Sequence, residues 1–220
     1  MTPITTFPTA WVITLKNSPP HPDGVVPWQG ITQAERWKAE EEHLQAVGVP
    51  YKPFCGIDGR VSGLTTAHTF EVNCPGAGEC IGIPTVSLYL SHYMLWKVLE
   101  YQEGDYFLIL EDDCRFEADW RPRLDAAWAI LPDDWDVLFL GSGGNNALRR
   151  NMVGRHSNLF RQTAMCLHCY MVRKKALPVM LDKMMRVCSP VDIGLVHQAF
   201  QHLKVFRIQP SLAGQWQTKI

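Results

Sequence analysis

Three consecutive acids, Glu111-Asp112-Asp113, close the uninterrupted apolar run Tyr106-Phe-Leu-Ile-Leu110. A short apolar run bounded by charge reads as a central parallel strand buried on both faces. In an open α/β sheet, ligands collect outside the carboxyl ends of the strands, which is where this triplet would stand. Adjacent carboxylates repel one another, and a hard divalent cation with oxygen ligands relieves that repulsion. Mg²⁺ or Mn²⁺ held this way keeps positions open for phosphate oxygens and can stabilise a departing diphosphate as a Lewis acid. Alternation along an extended segment sends residues i and i+2 to one side. Glu111 and Asp113 are therefore the metal candidates, with Asp112 directed away from them. The plainer alternative is that the acids cap the following helix or face solvent.

Other residues carry weaker signals. Asp192, in Pro190-Val-Asp192, opens an apolar helix; it is either a general base for a hydroxyl nucleophile or a helix cap. His197 and His202 are read as surface or core histidines before they are read as bases or ligands. Cys166-Leu-His-Cys169 has CxxC spacing, but no second pair accompanies it, so two core cysteines on a strand are favoured over zinc. Gly141-Ser-Gly-Gly144 either lets backbone approach a ligand closely or is an ordinary turn. Arg149, Arg150 and Arg155 fall in a loop after a strand and could grip an anion.

The elements that must position these groups alternate. Trp11 to Leu15 reads as a strand, followed by a Pro- and Gly-rich loop over 17–30. Thr32 to Val47 reads as a helix with Thr32 and Glu35 in capping-box spacing, and its Glu40-Glu41-Glu42 run as a solvated face. Tyr51 to Ile57 is a short strand before the turn Asp58-Gly59, and 58–83 is a long loop. Val86 to Tyr101 reads as a helix with an apolar stripe at Leu88, Leu95, Val98 and Leu99. Beyond the triplet come a helix from Trp120 to Leu131 and a buried strand from Trp135 to Leu140. A strand from Met165 to Val172, helices over 174–185 and 191–202, and a strand from Val205 to Ile208 follow. This order predicts an α/β fold with a mostly parallel central sheet in a single domain spanning 1–220.

A chain of 220 residues, 46% hydrophobic and 20% charged, can bury a core without disulfides. The longest apolar run is strand-sized, far below the roughly 18–20 residues that span a bilayer. The first nine residues lack a signal-peptide pattern, and seven scattered cysteines suit a reducing compartment. The expected location is the cytoplasm. The net charge of −1 hides an asymmetry. Residues 1–140 hold 9 Lys and Arg against 20 Asp and Glu, whereas 141–220 hold 12 against 2. Either an anion sits on the basic half or the two halves attract each other.

A set of motifs stands in order along the chain: Trp11-Val-Ile-Thr-Leu15, Phe54-Cys-Gly-Ile-Asp-Gly-Arg60, Val86-Ser-Leu-Tyr-Leu-Ser-His-Tyr-Met-Leu-Trp96 and Leu108-Ile-Leu-Glu-Asp-Asp113. Trp135-Asp-Val-Leu-Phe-Leu-Gly141, Thr163 to Leu181, Pro190-Val-Asp192 and Pro210-Ser-Leu-Ala-Gly-Gln215 continue it. Together they resemble glycosyltransferase family 25, the lipooligosaccharide-type family that includes the procollagen galactosyltransferases. The resemblance implies a GT-A-like fold, a nucleotide-sugar donor (UDP the first choice), a divalent Mn²⁺ or Mg²⁺, and a glycan acceptor. Under it, residues 1–140 form the nucleotide-sugar and metal half and 141–220 a basic acceptor half. Asp58, Ser91, His92 and Asp112 would lie near the nucleotide, with His92 read as readily as a helix histidine bonded within the core. Arg149 and Arg150 would face donor phosphates or an anionic acceptor, and Asp192 would be the base of an inverting displacement. The basic half keeps a hydroxylated base in DNA open as an acceptor. A nucleotide-binding module without turnover is the rival class. The segment after the first strand, Lys16-Asn-Ser-Pro-Pro20, departs from the family's Arg-rich pattern.

Overall fold

A computed structural model describes residues 7–18, 32–64, 82–143, 151–154, 157–187 and 189–216. Among the described residues nine strands are formed: β1 (Ala10–Thr14), β2 (Tyr51–Cys55), β3 (Tyr106–Glu111), β4 (Cys114–Phe116), β5 (Val137–Gly143), β6 (Leu159–Phe160), β7 (Met165–Arg173), β8 (Val205–Ile208) and β9 (Ala213–Gln215). Seven of them make one sheet in the order β2-β1-β3-β7-β5-β8-β6. β1 pairs in parallel with β2 and β3, and β5 with β8, while β7 runs antiparallel to both β3 and β5 and β6 antiparallel to β8. Most strands therefore share one direction, as the α/β reading requires. β4 and β9 form a small antiparallel pair beside the sheet.

Helices cover both faces. α1 (Gln33–Ala46) and α3 (Trp120–Ile130) supply Trp37, Leu44, Leu124 and Trp128 to a core that meets Val12, Leu108 and Leu110. α2 (Ile83–Leu99), α4 (Leu177–Lys183) and α5 (Val191–Gly194) supply Tyr89, Leu95, Leu177 and Val191 to the opposite core against Ile13, Ile109 and Phe139. Consecutive β3 residues thus feed opposite cores, because side chains alternate along a strand. Among the described residues no helix is long and apolar enough to cross a membrane.

Local chemistry explains the boundaries. Thr32 caps α1: Glu35 N donates to Thr32 Oγ1 at 3.2 Å and Thr32 N donates to Glu35 Oε2 at 2.7 Å, the expected reciprocal box. Four expectations need correction. Leu88 is exposed, and the buried side of α2 runs through Val86, Tyr89, His92, Leu95, Trp96 and Leu99. That face recurs at helical spacing once the two polar members Tyr89 and His92 are counted. Glu40 is fully buried rather than part of a solvated face: it packs toward Arg115, which meets its Oε2, while its Oε1 has no hydrogen-bond partner among the described residues. Gly141 to Gly143 extend β5 instead of ending it, since β7 continues to pair alongside. The helix over 191–202 is one α-turn followed by a π-helical turn, Leu195–Ala199, and a 3₁₀ turn, Phe200–His202.

Candidate functional site

The parallel strands deliver the motifs to one edge. β2, β1 and β3 end there at Cys55, Thr14 and Glu111. β7 begins at the same edge, because Leu110 pairs with Cys169, and β5 ends beside it, with Gly143 opposite Met165. The Asp58 loop, the acidic triplet, Cys166 and the end of β5 consequently line one margin, in the place where open sheets bind ligands.

The three acids divide the available partners. Glu111 ends β3, and its Oε1 lies 3.2 Å from Nε2 of His92, which is itself fully buried on α2. A carboxylate only accepts, so Nε2 carries the proton of that bond. His92 Nδ1 lies 3.1 Å from the Tyr170 hydroxyl, which accepts from Trp96 Nε1 at 2.8 Å. A relay from α2 and β7 thereby fixes Glu111. Burial pushes the Glu111 carboxyl up, but the His92 hydrogen bond and the charges of His92, His168 and Arg36 outweigh it and hold it below the usual range.

Asp112 and Asp113 occupy the turn between β3 and β4 rather than an extended segment. Strand alternation therefore does not govern them, and the expectation that Asp112 points away from its neighbours is corrected. Both carboxylates meet one guanidinium. Arg36 Nη2 is 2.6 Å from Asp112 Oδ1 and 3.3 Å from Asp113 Oδ2. Asp112 also takes a hydrogen bond from Thr14, yet burial still raises its carboxyl. Asp113 Oδ2 accepts from Gln215 Nε2 at 3.3 Å, and the backbone carbonyl of Asp113 accepts from Trp216 N at 2.6 Å. Asp113 Oδ1 is buried with no hydrogen-bond partner among the described residues. Burial, then the charge of Glu111, push the Asp113 carboxyl up to about 7 despite Arg36.

This donor set fits a hard dication. Arg36 meets Oδ2 of Asp113, but Oδ1 is buried beside a second carboxylate with no hydrogen-bond partner among the described residues, and an unpaired buried acceptor is costly. Among the described residues no group of three or more His, Cys, Asp or Glu forms a full cage. A two-carboxylate site completed by phosphate oxygens is the Mg²⁺-type arrangement.

The remaining residues sort as follows. Ser91 on α2 accepts from Ile57 N at 2.8 Å and donates to Ser87 O at 2.7 Å, so it pins the loop that carries Asp58. Asp58 accepts from Arg60 N at 3.0 Å and Arg60 Nε at 2.7 Å, and the Arg60 guanidinium holds its carboxyl below the usual range. Asp192 lies in the first turn of α5, whose cap is Pro190. Its oxygens accept from Cys166 N at 3.1 Å and from Ile193 N at 2.8 Å. Cys166 has φ of +64°, a left-handed conformation costly for a residue with a side chain. Burial and then the charges of Asp192, Glu111 and Asp113 raise its thiol, set against a backbone hydrogen bond from Gly143 that lowers it. The fields of Asp192 and the acidic triplet thus overlap at one side chain. Cys169 is buried core as read, whereas Cys166 is half-buried at the margin. His197 and His202 are exposed. Arg149, Arg150, Arg155 and Gly144 lie outside the described residues.

Sequence reasoning missed Arg36, Gln215, His168 and the β4–β9 pair. His168 lies against β9, with Nε2 3.2 Å from Ala213 O, and thus buttresses the strand that brings Gln215 to Asp113. An Arg directly after the capping-box Glu35, on a helix that also carries Glu40, Glu41 and Glu42, was the available signal for Arg36.

The family model for glycosyltransferase family 25 (LPS biosynthesis protein) matches residues 31–194, and the chain belongs to that family. Its relatives include a glycosyltransferase 25 family member of Anopheles gambiae, 25% identical over half of this chain and 20% of the relative. Procollagen galactosyltransferase 1-B of Xenopus laevis is 38% identical over 24% of this chain and 9% of that protein. A probable inactive glycosyltransferase 25 family member 3 of Bos taurus is 27% identical over 39% of this chain and 16% of that protein. The matched stretches therefore span a fifth or less of these curated relatives. Among solved structures, the chain is similar to a glycosyltransferase involved in glycosylation of the major capsid of PBCV-1, at 9% identity, 96% coverage of each chain and a TM-score of 0.46. It is also similar to the inositol-1-phosphate CTP transferase of T. maritima, at 15% identity, 96% and 89% coverage and a TM-score of 0.46.

Proposed function

We propose that this chain is a metal-dependent glycosyltransferase that moves a sugar from a nucleotide-sugar, UDP-linked as first choice, to a hydroxyl of a glycan acceptor. The observation that carries the reading is Oδ1 of Asp113, buried beside Glu111 at the carboxyl end of β3 with no hydrogen-bond partner among the described residues. Asp113 and Glu111 would hold Mn²⁺ or Mg²⁺, which when bound supplies charge stabilisation to the leaving diphosphate. Asp192 is the proposed base. Its two backbone hydrogen bonds aim the carboxylate and leave each oxygen a lone pair for the acceptor proton. In a single inverting displacement the acceptor O–H proton passes to Asp192 as the oxygen bonds to the anomeric carbon. The bond from that carbon to the diphosphate breaks, and the nucleoside diphosphate departs. Ser91 and Ser87 hold the Asp58 loop against α2 on the donor side. No observation favours the DNA acceptor, since the basic loop residues Arg149, Arg150 and Arg155 lie outside the described residues.

The test is release of nucleoside diphosphate from a panel of UDP-, GDP- and CDP-sugars, with saccharide acceptors present. The expected result is release from at least one donor with Mn²⁺, abolished by chelation and by Asp113→Asn. Nucleotide binding without release across the panel would assign the chain to the non-catalytic class instead, alongside relatives that are named inactive.

A further inference from the structure

We propose that Arg36 is an electrostatic gate: its guanidinium stands in for the cation against Asp112 and Asp113 and makes tight metal binding conditional on the donor's diphosphate. The proposal rests on the reading of Asp113 as a metal ligand. Nη2 of Arg36 lies 2.6 Å from Asp112 Oδ1 and 3.3 Å from Asp113 Oδ2, and Nε lies 3.4 Å from Asp112 O. The side chain is only 18% exposed. It projects from α1 one residue after the capping box and one before the buried Trp37, so the helix fixes its origin. A guanidinium keeps its charge at every working pH. It therefore cannot leave the way clear for a metal by losing a proton.

A dication reaching Asp113 comes within a few ångströms of this fixed positive charge. At a partly buried position, repulsion at that range outweighs much of the attraction of one free carboxylate oxygen. A nucleoside diphosphate reverses the balance. Its negative charges attract both the metal and Arg36, so each ligand strengthens the other by the same factor. Metal and donor should then bind together, and the protein should hold metal alone only weakly. If Arg36 merely propped the acidic turn, its removal would loosen the ligands and weaken metal binding in every condition. The two roles predict opposite signs.

The experiment is Mn²⁺ binding to the full chain, read from the paramagnetic resonance signal of free Mn²⁺ at constant ionic strength. It compares wild type, Arg36→Met and Arg36→Lys, each with and without UDP. For Arg36→Met, Mn²⁺ alone should bind at least about tenfold more tightly than to wild type, and the enhancement by UDP should shrink correspondingly. Arg36→Lys keeps the charge and should stay within about threefold of wild type in both conditions. Unchanged or weaker Mn²⁺ binding by Arg36→Met without UDP would overturn the gate, as would a lysine variant that behaves like the methionine one. Should Arg36→Met fail to fold, the lysine variant decides: loss of the UDP enhancement would show that fork geometry matters and charge does not. Absence of Mn²⁺ binding to wild type with and without UDP would instead overturn the metal reading beneath.

Discussion

Asp113 concentrates the chemistry through its Oδ1, which is buried at the carboxyl end of β3 with no hydrogen-bond partner among the described residues, while its Oδ2 meets Arg36 and Gln215. The acids around it are paired too, though Oε1 of Glu40 is likewise buried without a partner among the described residues. Glu111 has His92, Asp112 has Arg36 and Thr14, and Glu40 has Arg115. Glu40 yields the clearest pH test. Burial, only partly offset by Arg115, pushes its carboxyl up to about 8. A carboxyl raised above its unfolded value stabilises the fold fully below that unfolded value and loses the contribution as pH rises through the folded one. Thermal stability measured in chelator should therefore carry a Glu40 component that falls from about pH 5 and levels off above pH 8. Glu40→Gln should remove that component and leave the variant the more stable form at pH 9. An unchanged slope in Glu40→Gln would refute the assignment.

At the scale of elements, α1 carries Arg36 and Glu40, so its cap bears on the site. Thr32→Ala should lower unfolding free energy by about 1 kcal/mol in denaturant titration. Ser91→Ala removes the acceptor of Ile57 N and should cost about 1–3 kcal/mol by the same measurement. A donor affinity that falls with Ser91→Ala far more than stability does would mean the hydroxyl touches the donor itself. Much of this layer was legible in the sequence. The run from Tyr106 to Leu110 has no polar face, so only a doubly covered strand accommodates it. The Thr32 to Glu35 spacing announces a helix start. Elsewhere the signal failed for physical reasons. Tyr89 and His92 face the core, so a stripe counted from apolar residues alone rotates toward Leu88. β4 and β9 have three residues each, too short for any periodicity, and their pairing joins positions a hundred residues apart.

At the scale of the whole molecule, the later part of the chain completes a site begun by the earlier part. β7 enters the sheet between β3 and β5, and β9 returns to clasp the acidic turn through Gln215 and Trp216. Gly141 marks where these layers meet most tightly. A Cβ there would lie 2.4 Å from His168 Nε2 and 2.7 Å from Ala213 O. Gly141→Ala should cost about 1–3 kcal/mol and weaken metal-dependent nucleotide binding together with stability, because both depend on β9. Loss of neither would show that the β4–β9 pair is dispensable. The account as a whole turns on Asp113, and calorimetric binding of UDP with and without Mn²⁺, to wild type and to Asp113→Asn, tests it most directly. The prediction is Mn²⁺-dependent UDP binding by wild type that Asp113→Asn abolishes while the variant stays folded. Equal UDP binding by both proteins, or none by wild type with Mn²⁺ present, would contradict it.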